Sequence, residues 1–174
     1  MKFAYRPLCI VTPLVFLLDQ WTKWMVVRHI PLGHGLAILP GYIDLVHVRN
    51  RGAAFGLFAG GDSPWRAPFF YLVSIVAVGV ILWIVRHLRE TERLMAVTMA
   101  LILGGIFGNL LDRLRLGAVT DFLSCHFRDV VIDGTLLGFR IRFPLDWPAF
   151  NVADSAITIS MLLLAYHIVR SPHQ

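Results

Sequence analysis

Two aspartates carry the chemistry that this chain's residue types and spacing allow. Asp121 closes the stretch Gly104 to Phe122, GGIFGNLLDRLRLGAVTDF, which begins as the end of an apolar segment. Asp154 lies thirty-three residues further on, in PAFNVADSAIT, at the head of another apolar segment. Two carboxyl groups within hydrogen-bond distance cannot both ionise easily, so they share one proton, and a low dielectric holds it more tightly. Such a pair can polarise a water with one carboxylate and protonate a leaving amine with the other, without a metal or a covalent intermediate. Each aspartate also has a plainer account. With Asn151 as N-cap, Asp154 falls at the third helical position, where a carboxylate interacts well with the helix N-terminus. Asp121 alone is one aspartate in a polar loop. On residue types alone the pairing stays open.

The elements that must position these groups follow from composition. Of 174 residues, 57% are hydrophobic and 16% charged, and mean hydropathy is +0.68, too apolar for an ordinary soluble domain. The apolar residues fall in blocks of membrane-spanning length. A net charge of +5 with scattered arginines, and no basic stripe interleaved with aromatics, argues against nucleic-acid binding. In a membrane protein such an excess reports topology and contact with anionic lipid. Cys9 and Cys125 form no metal spacing, and one in an apolar block and one in a polar loop make no disulfide.

The blocks predict spans at 8–27, 69–85, 94–111 and 152–169, with excursions at 28–68 and 112–151, in a single integral membrane domain covering 1–174. The first block is long and no small-x-small cleavage site follows it, so it reads as a retained span, with Pro13 tolerated or kinking it. Near its end, Asp19 and Lys23 are four apart on one helical face and can pair. Ionisable groups within a span often mark function, but such a pair can equally anchor the helix end. Tyr42 to Arg49 alternates like a strand. In the NRGAAFGLF that follows, Gly52 and its small neighbours let a backbone or ligand approach closely, although an ordinary turn and a short interfacial helix account for them better. Trp65 and Tyr71 suit a membrane interface at the second span. In the third, Gly104 and Gly108 have the spacing of close helix packing. Asn109 and Arg113 share a face, and Asp112 beside them is placed to orient Arg113 or its neighbours. Asp133-Gly134 predicts a two-residue hairpin turn, with Phe139, Ile141 and Phe143 on one apolar face.

Four spans put both termini on one side, and Lys2, Arg6, Arg86, Arg89, Arg93 and Arg170 in the short segments assign that side to the cytoplasm. Nine arginines in the excursions weaken this signal. Whatever the orientation, Asp19, Lys23, Asn50, Asn109, Arg113, Asp121, Asn151 and Asp154 all fall at the same membrane face. Sequence-distant polar groups converging at one interface point to a site better than any of them alone.

DQWTK at Asp19 to Lys23, VRNRGAAFG at Val48 to Gly56, GNLLDR with VTDF between Gly108 and Phe122, and FNVADS at Phe150 to Ser155 resemble the lipoprotein signal peptidases, or signal peptidase II. The blocks occur in that family's order and span most of the chain. The resemblance implies an all-α membrane protein with four transmembrane helices and a small extracytoplasmic β subdomain. It implies an aspartyl endopeptidase of the bacterial inner membrane that cuts prolipoproteins before a diacylglyceryl-modified cysteine, with the site facing the periplasm. Asp121 and Asp154 would be the catalytic pair. Asn50, Gly52, Asn109, Asp112, Arg113 and Asn151 would line the site or bind substrate, as would Asp19 and Lys23 from the first helix. No metal or other cofactor is expected. The partners expected are prolipoproteins and membrane lipid, not nucleic acid, and the chain is expected to be a monomer. The stretch between the two aspartates is longer than in compact family members, which alters substrate access but not the pair.

Other protease classes lack their marks. A zinc intramembrane protease needs H-E-x-x-H on a helix, which is absent. No G-x-S-x-G occurs, and Ser155 has no evident histidine partner. A small transporter or lipid-binding scaffold could use the same polar cluster, and cleavage of a lipidated precursor peptide would separate it from an enzyme.

Overall fold

Among the described residues, four helices are long and apolar enough to cross a membrane: α1 (Tyr5–His29), α2 (Arg66–His87), α3 (Arg93–Leu116) and α4 (Val152–Arg170). The computed structural model describes residues 5–52, 64–136 and 139–170, the side chains of 127–133 and 135–146 excepted. The small residues expected from Ala53 onward and the apolar hairpin face of Phe139, Ile141 and Phe143 lie outside that description.

The helices are built outside-in. Leu14 and Leu17 of α1, Leu72 and Ile75 of α2, and Leu162 of α4 are each more than 60% exposed. In water such faces would be a liability; against hydrocarbon they are the expected outer surface. The inner contacts centre on α3. Ala96, Met99 and Leu103 pack with Ile81 and Val85 of α2. Further along, a Cβ on Gly104 would lie 2.7 Å from the Val15 Cβ of α1, and one on Gly105 would lie 2.6 Å from the Ala153 carbonyl of α4. The glycines therefore let three backbones approach where side chains could not fit. Helix α1 continues through Pro13.

The excursions meet in one antiparallel sheet, ordered β1 (Gly35–Leu39), β2 (Ile43–Asn50), β3 (Val119–Leu136), β4 (Phe139–Phe150). Strand β2 pairs with the start of β3, setting Val48 opposite Asp121 and Asn50 opposite Val119. The end of β4 pairs with the same part of β3, setting Phe150 opposite Leu123, one residue before the N-cap of α4.

Three local expectations change. Helix α3 does not stop at Leu111. It runs on through Asp112 and Arg113 to Leu116, because nothing before Gly117 breaks it. Gly117 then adopts φ 66° and its N–H bonds the Arg113 carbonyl at 3.0 Å, a left-handed helix stop. Asp133-Gly134 is not the hairpin turn. Asp133 pairs with Arg142, and the ribbon continues to Leu136 opposite Phe139, so the strands do not end at Asp133-Gly134. The longer ribbon gains the pairs from Asp133–Arg142 to Leu136–Phe139. Cys125 is in β3, opposite Trp147, and not in a loop.

Candidate active site

Asp121 enters the site from β3 immediately after the chain leaves α3. It is 2% exposed. Asn50, the last residue of β2, donates from Nδ2 to its Oδ2 at 3.0 Å, and Asn151 donates from Nδ2 to its Oδ1 at 2.7 Å. Burial, and then the nearby Asp154 carboxylate, push the Asp121 carboxyl up to about 7, against the smaller opposing effect of its hydrogen bonds from Asn50 and Asn151.

Asn151 precedes α4 and caps it. Its Oδ1 accepts the Asp154 N–H at 2.9 Å, while its own N–H donates to Asp154 Oδ2 at 3.2 Å. That reciprocal pair is a capping box with Asn and Asp in its two places. It leaves Asp154 Oδ1 to accept from Asn109 Nδ2 of α3 at 2.8 Å. Both aspartates open onto a cavity of about 430 Å³. Asn50, Gly52, Asn109 and Arg113 line its polar side, while Trp147, Pro148, Phe150, Ile157 and Ile159 supply apolar wall from β4 and α4. Arg113 Nη2 donates to the Gly52 carbonyl at 3.3 Å, and its guanidinium lies 4.4 Å over the Phe70 ring. The arrangement can place an apolar chain against one wall and a carbonyl beside two carboxyl groups.

Asp19, Lys23, Asp112 and Asn151 do not line that cavity. They form the layer behind it. Lys23 Nζ lies 2.8 Å from Asp19 Oδ2, 3.3 Å from Asp112 Oδ2 and 3.0 Å from Asn109 Oδ1. Asp19 Oδ1 accepts the Ala153 N–H at 2.9 Å. Asp112 does not orient Arg113. Its Oδ2 accepts the Thr120 N–H at 2.9 Å, because consecutive helical residues point about 100° apart and Asp112 faces inward. Gln20 has no role that its residue type alone would suggest, yet its Nε2 bridges Asp19 Oδ2 and Asp112 Oδ1 at 3.1 and 3.2 Å. Its place one residue after Asp19 in DQWTK is the available sign. Thr120 and Ala153 act through backbone N–H groups, which leave no mark in a sequence. Among the described residues, no cluster of three His, Cys, Asp or Glu side chains could hold a metal ion.

The comparisons with known proteins agree over nearly the whole chain. A family profile described as signal peptidase (SPase) II matches residues 11–170. A lipoprotein signal peptidase of Syntrophotalea carbinolica is 42% identical over 168 residues, 95% of this chain and 94% of its own length. One from Geobacter sulfurreducens is 41% identical over 170 residues, 98% of this chain and 96% of its own. A solved structure, described as a bacterial membrane enzyme determined by the in meso method at 2.3 Å resolution, superposes with a TM-score of 0.76 at 25% identity, covering 95% of this chain and 88% of that one. The overall fold is thus shared with a bacterial membrane enzyme, and the chain belongs to the signal peptidase II family of bacterial membrane enzymes.

Proposed function

We propose that this protein is a membrane aspartyl endopeptidase that removes signal peptides from prolipoproteins, cutting before the diacylglyceryl-modified cysteine, with Asp121 and Asp154 as a water-activating pair. The observation that carries this reading is that both carboxyl groups face one half-apolar cavity, each held by an asparagine from another element. With its carboxyl pushed up to about 7, Asp121 is the group that holds the proton the reaction needs. Water then attacks the scissile carbonyl carbon, giving its proton to Asp154, while Asp121 protonates the carbonyl oxygen. Collapse of the resulting diol returns a proton to Asp121, and Asp154 passes the water proton to the leaving nitrogen. The apolar wall of β4 and α4 suits both an acyl chain and a hydrophobic signal sequence. The basic residues of the short segments orient the termini to the cytoplasm, so that the site faces outward. The test is to incubate purified protein with a lipidated precursor peptide and with its unlipidated counterpart. Cleavage before the modified cysteine in the first alone supports the reading. No cleavage of either by folded protein overturns it.

A further inference from the structure

Lys23 is 3% exposed, does not reach the cavity, and has no part in the hydrolysis described above. Its ammonium has three protons and meets three acceptors, Asp19 Oδ2, Asp112 Oδ2 and Asn109 Oδ1. Each acceptor leads on to one of the two aspartates. Asn109 donates to Asp154 Oδ1 directly. Asp19 holds the N–H of Ala153, the residue before Asp154. Asp112 holds the N–H of Thr120, the residue before Asp121. One buried cation thus ties together α1, α3, β3 and α4, which are far apart in sequence.

The contact with Asn109 has a further consequence. An ammonium only donates hydrogen bonds, so the Asn109 atom facing it must be the oxygen. Asn151 Nδ2, 3.2 Å from the same oxygen, is a second donor and enforces the same choice. The Asn109 amide is therefore turned with its NH₂ toward Asp154. Without the ammonium, the longer bond from Asn151 is the remaining donor to that oxygen, and the amide is held less firmly against the carboxylate.

We propose that Lys23 is a positioning residue for the hydrolysis: its ammonium locks the Asn109 amide as a donor to Asp154 and, through Asp19 and Asp112, holds the backbones that carry both aspartates in register. This rests on the two-aspartate reading. The test uses the full-length protein in lipid, with kcat and KM on a lipidated precursor expressed per folded molecule, for Lys23→Met, Asn109→Ala and their combination. Lys23→Met lowers kcat roughly 10- to 100-fold, the usual loss when a supporting partner of a site is removed. KM moves little, because the apolar wall of β4 and α4 is untouched. The combined variant loses less than the product of the two single losses, because the residues act in one chain of contacts. A purely structural lysine would lower the yield of folded protein but leave kcat per folded molecule alone. Wild-type kcat in folded Lys23→Met, or multiplicative losses in the combination, overturns the proposal. If Lys23→Met does not fold, Lys23→Met/Asp112→Asn removes one charge of each sign. Wild-type kcat in that protein overturns the proposal equally, and a kcat loss at unmoved KM supports it. Asp121→Asn and Asp154→Asn, run alongside, separate the two failures. Turnover in these sinks the two-aspartate reading, whereas their inactivity beside an unaffected Lys23→Met sinks only the role of Lys23.

Discussion

Gly108 offers a test of the layer behind the site without touching a polar group. A Cβ added there would lie 2.4 Å from Asp19 Oδ2 and 3.0 Å from its Cγ, so something must give by about 0.6 Å to escape an outright clash and by about 1 Å to reach ordinary van der Waals contact. The atom in the way is not the free end of a flexible chain. Asp19 Oδ2 accepts from Lys23 at 2.8 Å and Gln20 at 3.1 Å, and Oδ1 accepts from Ala153 at 2.9 Å. A shift of that size away from Lys23 or Ala153 would stretch a bond beyond useful range. Overpacking costs about 1–3 kcal/mol, and weakening a buried ion pair adds to it, so Gly108→Ala is expected to lose roughly 2–4 kcal/mol of stability.

The displaced Asp19 also releases the backbone beside Asp154. A misplacement near 1 Å can cost about 100-fold in rate, so kcat should fall even in the folded fraction. Gly79 in α2 is the internal control. A Cβ there would meet nothing within 4 Å, so Gly79→Ala should be neutral or gain about 0.5–1 kcal/mol. The measurements are thermal unfolding in detergent and turnover on a lipidated precursor. If Gly108→Ala behaves like Gly79→Ala in both, the close approach of Asp19 to α3 is not what holds the site.

The raised pKa of Asp121, about 7 against an ordinary 3.8, predicts two pH effects. Between those values the folded protein binds more protons than the unfolded chain, so stability falls as pH rises from about 4 to about 7, and Asp121→Asn flattens that slope; unfolding temperature against pH measures it. In the proposed mechanism turnover needs the proton on Asp121, so it should likewise decline as pH rises through about 7; a kcat profile flat to pH 9 would refute the assignment. Replacing 131–142 by a brief turn removes only the part of the β3–β4 ribbon that β2 does not pair with, so substrate binding should weaken while folding and kcat persist; an unchanged KM would show the ribbon to be decorative.

The four helices are legible in the sequence because apolar blocks of spanning length have few other uses, and the common membrane face of the polar groups follows from counting spans. Helix ends are less legible. Asp112, Arg113 and Leu116 belong to α3 because the first residue able to stop the helix is Gly117. The partner of Asp112 is hidden because adjacency in sequence is not adjacency in space: its inward neighbours are Lys23, Gln20 and the Thr120 N–H. Strand β1, GLAIL, gives no sign of itself: it is short and exposed along its length, with no alternation to betray it. Asp133-Gly134 is a sound turn signal that loses to four further strand pairs. Local propensity yields wherever pairing across the ribbon is worth more.

Two accounts of Asp154 are open at the level of sequence, helix cap or reacting carboxylate, and the geometry shows that they are compatible. The cap uses Oδ2, through the Asn151 N–H, and so fixes the carboxylate plane. Oδ1 is then available to Asn109, and the group still faces the cavity. This sets the outcome expected for Asp154→Asn. Asparagine keeps the shape and one acceptor oxygen, which can stay on the Asn151 N–H, but its NH₂ would then face the donor of Asn109 until that amide adjusts. Losing the negative charge at the helix N-terminus costs about 0.3–1 kcal/mol, and removing a carboxylate beside Asp121 offsets part of that. The variant should therefore remain folded, within a few degrees of the parent in thermal unfolding. It should nonetheless be inactive, because an amide cannot take the proton from water. In the proposed mechanism the pair acts as a unit, so Asp121→Asn/Asp154→Asn should be no slower than either single variant. Unfolded Asp154→Asn would mean that the cap dominates its role, and folded protein with substantial turnover would mean that the reacting carboxylate is another.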